Sequence, residues 1–439
     1  MDKNNIKVNV IGAGLAGCEC AYMLAKNGIK VKLYEMKPSK KSEAHKSDDF
    51  AELVCSNSLK SEEITNACGL LKKEMEMFGS IFIEAASIAK IPAGQALAVD
   101  RDVFSDYITK KIKENKNIEI ISEEVKDIKS LDGIVVVATG PLTSDELMKS
   151  ISKLIGEDSL YFFDAAAPIV ERESINMEIA YEMNRYGERI GGDYINLPMN
   201  KEQYENFYNE LINAKRANRH EFDKLILFEG CMPVEEMAKR GKKTLVFGPL
   251  KPIGLDNPKT GEKNYAVVQL RAENKEKTLY NMVGFQTSLA FGEQKRVFRM
   301  IPGLENANFV RYGVMHKNSY INGGKLLDNN FCMKNNSNIY FAGQISGVEG
   351  YVESAASGLM VAYSILNRLQ GKKITFPEET MLGSLAKYIS TENKNYQPMN
   401  ANFGILKPLD IKIKDKKEKY TKLASRAINE IENLKKDII

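Results

Sequence analysis

Lys7–Glu35, KVNVIGAGLAGCECAYMLAKNGIKVKLYE, is the stretch whose reading decides the fold. The β-branched run Val8–Ile11 spells a buried strand. Gly12, Gly14 and Gly17 follow at G-x-G-x-x-G spacing, with Ala13, Leu15 and Ala16 between them, and a helical pattern then runs through Lys26. Gly28 closes that helix, and Lys30–Tyr34 restarts as a second strand ending on Glu35, 18 residues beyond Gly17. Strand, tight turn and helix in this order are the parts of a dinucleotide site. Gly12 permits the turn, Gly14 lets a pyrophosphate approach the backbone, and Gly17 lets helix and strand pack closely. The helix N-terminus supplies unpaired N–H groups to the anion. Glu35 would accept hydrogen bonds from a ribose diol and repel a 2′-phosphate, so the ligand expected is FAD or NAD rather than NADP.

Working outward, 439 residues exceed one ordinary core and predict two or three domains. Apolar residues make up 43% and charged residues 27%, as in soluble globular proteins. No apolar run approaches a membrane span. Asp2, Lys3 and Asn4 lead directly into the first strand without a signal-peptide pattern, so the expected location is the cytoplasm. Six cysteines without a C-x-x-C pair or a Cys/His cluster at zinc spacing fit a reducing compartment and predict no metal site. The net charge of +4 neither demands nor excludes a nucleic-acid partner.

Met36–Asp49 reads as a loop containing His45, either a substrate-orienting group or a loop cap. Cys55 follows among Ser56, Asn57 and Ser58, hydrogen-bonding residues of the kind that line a site. Asn66–Ala86 reads as one helix, Phe104–Lys113 as another, and Asn117–Ser122 as a strand. Gly133–Gly140, GIVVVATG, is a buried strand of the kind that returns to the nucleotide in two-part flavoproteins, with Gly140 beside the cofactor. From Leu160 the pattern becomes mixed. In KLILFEGCMPVEEM, Cys231 falls at a strand-to-helix turn, where a helix N-terminus favours thiolate, a better nucleophile setting than that of Cys55 by local sequence. Cys18, Cys20, Cys68 and Cys332 sit in apolar or helical patterns and read as structural.

Tyr265–Arg271 and Thr278–Gln286 read as paired strands. Gly292–Ile301 reads as a helix exposing Lys295, Arg296 and Arg299, and His316 beside Lys317 as a surface feature. A nucleotide-fold signature returns in Asn338–Glu349, NIYFAGQISGVE, where Gln344 follows Gly343 in place of the Asp common in flavoproteins, ahead of a small-residue helix. The fold class expected is α/β, with a Rossmann-like FAD domain assembled from residues 1–165 and 330–409. Residues 166–329 form an inserted α/β or α+β domain facing substrate, and 410–439 a basic amphipathic helix.

The blocks VNVIGAGLAG, FAELVCSNSL, PAGQALAVDRD, ATGPLTS, FEGCMPVEEMA, FGPLKPIGL, AVVQLR, GFQTSLAFGEQKRVFRMIPGLENANFVRYGVMH and GVEGYVESAASG together resemble the folate- and FAD-dependent tRNA (uracil-5-)-methyltransferases, from the first strand to about Phe403. The resemblance implies transfer of a one-carbon unit from 5,10-methylenetetrahydrofolate to C5 of a T-loop uridine. FAD and NADH or NADPH complete its reduction to methyl. It maps Cys231 onto the thiolate that adds to C6 of uracil and Cys55 onto the second thiol, the base for the C5 proton, with the order of the two roles open. Tyr351 and Glu349, in GVEGYVES, fall where a helix would meet the flavin. The uridine must be extruded from its loop, and Lys251, Lys295, Arg296, Arg299 and Lys317 are candidate phosphate contacts. Phe291-Gly292 stands where the family pattern carries Trp and often Pro, and Asn322-Gly323-Gly324 replaces a turn richer in Pro. These departures touch RNA specificity more than chemistry, and tRNA is expected ahead of ribosomal RNA. Two other readings compete: an enzyme modifying anticodon uridines with a partner GTPase, and a non-catalytic RNA-binding protein holding FAD. Oligomeric state is left open.

Overall fold

Val8–Ile11 lies inside a six-stranded sheet whose order runs Cys332–Met333, Asn336–Phe341, Ile134–Val137, Val8–Ile11, Val31–Tyr34, Ile118–Ile121. In this computed structural model, which describes residues 7–157, 160–186, 190–217, 232–394 and 396–438, the pairings are parallel except at the Cys332–Met333 edge. Val8 pairs with Val31 on one side and Ile134 on the other, and Ile339 pairs with Val135. One sheet is therefore built from both ends of the chain. Val8–Ile11 and Ile134–Val137 are buried at every position, which is why both read as continuous β-branched runs rather than alternating ones. The chain leaves Val8–Ile11 toward Val31–Tyr34 on one side and returns at Ile134–Val137 on the other. The resulting switch of direction opens a crevice at the carboxyl ends of these strands.

Helices Leu15–Lys26 and Tyr351–Leu369 cross closely over this sheet. A Cβ on Gly358 would lie 2.2 Å from the Ala16 carbonyl oxygen, so only glycine permits the approach. The single helix predicted for Asn66–Ala86 is two, Ala67–Met77 and Ile81–Ile88. Gly79 turns the chain at φ +73° and Ser80 caps the second helix. Leu70, Leu71, Met75, Ile81 and Phe82 all enter the same core, so apolar periodicity continues across the break and hides it. The helix predicted from Phe104 begins at Arg101, because the Asp100 side chain accepts from the N–H groups of Asp102 and Val103.

A second six-stranded sheet is antiparallel throughout, in the order Tyr181–Met183, Ile190–Met199, Ala266–Ala272, Leu279–Met282, Ile169–Glu171, Phe309–Arg311. It has its own core, with Tyr204, Phe207, Phe285 and Phe298 fully buried. The strand expected over Thr278–Gln286 pairs only over Leu279–Met282 before Gly284 turns the backbone at φ +77°. The ribbon Leu160–Ala165 with Met315–Tyr320 brings Asp164 opposite His316. Helix Lys416–Ile438 lays Leu423, Ala424, Ala427 and Ile431 against the first core. Among the described residues no helix is long and apolar enough to cross a membrane.

Candidate active site

The crevice at the switch point is a cleft lined by Gly12, Ala13, Gly14, Leu15, Ala16, Glu35, Gly140, Gly343 and Gln344, all of the residues expected there except Gly17. Gly17 lies beneath. A Cβ on it would come 1.8 Å from the Gly12 carbonyl oxygen, so its role is helix-to-strand packing. Gly12 has φ +98°, and a Cβ there would meet the Ala138 carbonyl oxygen at 2.8 Å. Gly14 has ordinary backbone angles and nothing within 4 Å of its Cβ position. Open space there is what an approaching phosphate requires. The helices Leu15–Lys26 and Tyr351–Leu369 both begin at a glycine, Gly14 and Gly350, without a side-chain cap, and the first residues of both line the cleft. Two sets of unpaired N–H groups thus face one space, a setting suited to an anionic, electron-rich ligand.

Glu35 is buried at the cleft wall. Its Oε2 accepts from Ala13 N–H at 2.8 Å and its Oε1 from Lys37 N–H at 3.0 Å, so the carboxylate braces the glycine turn and keeps lone pairs for a ribose diol. Gln344 donates its Nε2 to Glu349 Oε2 at 2.7 Å. Ser357 Oγ accepts from Gly343 N–H at 2.7 Å. His45 also lines the cleft, and its Nδ1 lies 2.6 Å from Ser42 Oγ, so it both caps its loop and faces the ligand space. Burial and the Lys37 charge push its pKa down to about 4, leaving the imidazole neutral.

Tyr351 joins this cleft to the thiol. It lines the cleft, and its hydroxyl accepts from the N–H groups of Cys55 at 2.6 Å and Ser56 at 3.2 Å. Cys55 is half-buried, with Sγ 3.8 Å from the Ala165 carbonyl oxygen. Burial first, then the Asp164 charge, pushes its thiol up, while Arg101 and Arg311 act in the opposite direction and Glu349 adds to the upward push. Glu349 is buried, and its carboxyl is pushed up to about 8 by burial and by Asp164.

Cys231 and the turn before it lie outside the described residues. The helix after it, Val234–Lys239, begins at Pro233. The candidate phosphate contacts are dispersed. Lys295 is exposed on helix Phe291–Phe298, but its neighbour Arg296 is paired with Glu293 and Glu210. Arg299 donates to the Ala307 carbonyl at 2.8 Å. Lys251 is half-buried in a turn, and Lys317 places Nζ 4.5 Å from the Tyr161 ring centre. His316, expected at the surface, is half-buried, with its pKa lowered by burial and Arg311. Cys18, Cys20, Cys68 and Cys332 are buried, as expected of structural thiols.

Sequence reasoning passed over Asp164, Arg101, Arg271 and Arg311. A signal was present for one of them: Arg271 interrupts the apolar run Ala266–Ala272 and is buried.

Residues 7–373 match the family described as Glucose inhibited division protein A. A protein of Fusobacterium nucleatum described as methylenetetrahydrofolate--tRNA-(uracil-5-)-methyltransferase TrmFO is 59% identical over 428 residues, 97% of this chain and 98% of that one. One of Acetivibrio thermocellus with the same description is 58% identical over 423 residues, 96% of this chain and 97% of that one. Among solved structures, Aquifex aeolicus GidA superposes with a TM-score of 0.70 at 16% identity, covering 99% of this chain and 74% of that one. That likeness concerns the fold.

Proposed function

The chain belongs to the Glucose inhibited division protein A family, within the methylenetetrahydrofolate--tRNA-(uracil-5-)-methyltransferases, and from that membership we propose that it methylates C5 of a tRNA uridine. The one-carbon unit comes from 5,10-methylenetetrahydrofolate and is reduced to methyl at the expense of NADH or NADPH. The cleft fits FAD on four counts: the free space at Gly14, the paired helix N-termini, the carboxylate of Glu35 and the glycines Gly140 and Gly343 at strand ends. When bound, FAD supplies the relay between the folate-derived carbon, the reducing electrons and the base.

The residues of the chain do the rest. The Cys231 thiolate adds to C6 of uracil and loads electron density onto C5. Cys55 then takes the C5 proton once the new C–C bond has formed, and expulsion of Cys231 restores the ring. Glu349 and Gln344 hold the flavin end of the cleft, and neutral His45 orients what enters it. The parts 1–165 and 330–409 hold FAD, and 166–329 faces RNA. There Lys251, Lys295 and Lys317 are available for phosphates, with Arg296 and Arg299 freed only by exchange of their present partners. Helix Lys416–Ile438, shorter than the 410–439 expected, braces the body. The reaction belongs in the cytoplasm, with tRNA and folate.

The observation that carries this reading is Tyr351, which lines the cofactor cleft and whose hydroxyl holds the loop of Cys55. The test is incubation with FAD, NAD(P)H, labelled methylenetetrahydrofolate and, separately, unmodified tRNA and ribosomal RNA. Label is expected in 5-methyluridine from tRNA; label from ribosomal RNA alone would move the target, and label in neither would overturn the reading.

A further inference from the structure

Residues Leu53–Asn57, which carry Cys55, are gripped by three guanidinium groups from distant parts of the chain. Arg101 donates Nη1 to the Leu53 carbonyl at 2.5 Å and Nη2 to the Cys55 carbonyl at 3.3 Å, while its Nε meets Glu273 Oε2 at 2.6 Å. Arg311 donates Nη2 to the Val54 carbonyl. Arg271 donates Nε to Asn57 Oδ1 at 3.0 Å and Nη2 to Ser56 Oγ at 2.9 Å. Three successive carbonyls, Leu53 to Cys55, thus accept from arginine, and the N–H groups of Cys55 and Ser56 go to Tyr351.

The register of the second sheet sets this up. Arg271 stands opposite Asn281, Asn281 opposite Ile169, and, past a register shift between Phe309 and Arg311, Ile169 opposite Arg311, so one row across four strands carries an arginine at each end. Arg101 comes from the first turn of its helix on the other side of the loop. Arg101 has Glu273 as a counter-charge, but Arg311 and Arg271 act on neutral acceptors in these bonds, and a carbonyl or hydroxyl does not cancel a cation. Asp164 and Glu349 face the thiol with negative charge or the capacity for it, Glu273 with Arg101 lies behind, and Tyr351 lies across the loop.

We propose that Arg311 is a positioning residue for Cys55: its guanidinium fixes the loop at the Val54 carbonyl and keeps positive charge beside the sulfur, so that Cys55 is available as thiolate. The inference rests on Cys55 serving as the base, and goes beyond it by naming what offsets burial and acidic neighbours so that a fraction of this half-buried thiol is ionised. Proton and charge balance directly: Cys55 thiolate takes the C5 proton and becomes the neutral thiol, and its proton returns to solvent before the next turnover.

The test is the pH profile of Cys55 alkylation by iodoacetamide in the FAD-loaded full chain, followed by peptide mass mapping so that Cys231 is read separately. Arg311→Gln is expected to raise the midpoint by about one pH unit, with about tenfold slower labelling of Cys55 below it and unchanged FAD content; Arg311→Lys should restore most of the shift. Arg311→Met, uncharged and close in volume, should raise the midpoint likewise, which keeps the test open if the Gln variant at 311 does not fold. Superimposable profiles in wild type and Arg311→Gln, or in wild type and Arg311→Met, would overturn the proposal. Methyl transfer that survives Cys55→Ala would instead sink the base assignment, a failure the alkylation profile does not share.

Discussion

At the scale of single residues, the Tyr351 hydroxyl accepts two backbone N–H groups at once, from Cys55 and Ser56. Tyr351→Phe removes the acceptor and leaves both donors short of a partner away from bulk water, at about 1–3 kcal/mol. The melting temperature of the FAD-loaded protein should fall by several degrees. Methyl transfer should fall further than flavin reduction by NAD(P)H, because the first needs the thiol loop in place and the second does not. Equal losses in the two rates would argue that Tyr351 serves the cofactor alone. Cys55→Ala is the sharper change. A general base contributes roughly 10²- to 10⁴-fold, so single-turnover methyl transfer should drop by at least about a hundredfold while the flavin spectrum is retained. A drop of less than tenfold would remove Cys55 from the base role.

At the scale of elements, the turn Gly12–Gly17 separates binding from packing within one motif. Gly14 has ordinary angles and free space around its Cβ position, so Gly14→Ala should leave the fold intact while placing a methyl where the pyrophosphate must lie. Purified Gly14→Ala should be folded by circular dichroism and largely free of flavin. Gly17→Ala drives a Cβ into the Gly12 carbonyl and should lower folded yield outright. Full flavin content in Gly14→Ala would contradict the placement of the cofactor. This unit was legible because its signal is local: glycine spacing, β-branched runs and Glu35 all fall within 29 residues. The grip on Cys55 was not legible. Arg311 and Val54 are 257 positions apart, and they meet because the loop that carries Cys55 packs against the strand Phe309–Arg311. The Asn66–Ala86 break was hidden for a related reason, since both helices feed the same core and share one apolar period.

Across the whole molecule, buried carboxyls tie distant segments together and give stability a definite pH dependence. Glu74 accepts from Met381 N–H at 2.8 Å and from Leu382 N–H at 2.9 Å, capping helix Met381–Ser390 from more than 300 residues away. Glu19 accepts from Ser80 Oγ at 2.9 Å and from Phe82 N–H at 3.0 Å, which ties helix Leu15–Lys26 to the start of Ile81–Ile88. Burial raises Glu19 to about 7 and Glu74 and Glu349 to about 8, against 4.5 when unfolded. Between the unfolded and folded values the native state holds protons that the unfolded chain has released. The stability these groups contribute is therefore complete below about 4.5 and is lost as pH rises through 7 to 8, by about 1.4 kcal/mol per pH unit for each group still differing. His45 acts with the opposite sign in a lower window. Lowered to about 4 from 6.5, it lets the unfolded chain bind a proton that the native state refuses, so stability also falls as pH drops below 6.5. Between 4.5 and 6.5 three carboxyls lose stability with rising pH while one imidazole gains it, so the net slope is already downward there and the balance falls near pH 4.5. Thermal melts of the FAD-loaded protein should show a maximum there and a decline of several degrees by pH 8.5. Glu74→Gln keeps one side-chain oxygen to accept from the helix and has no proton to lose, so it should lower the maximum yet flatten the alkaline slope. A slope unchanged in that variant would mean that Glu74 is already ionised in the folded protein at pH 6.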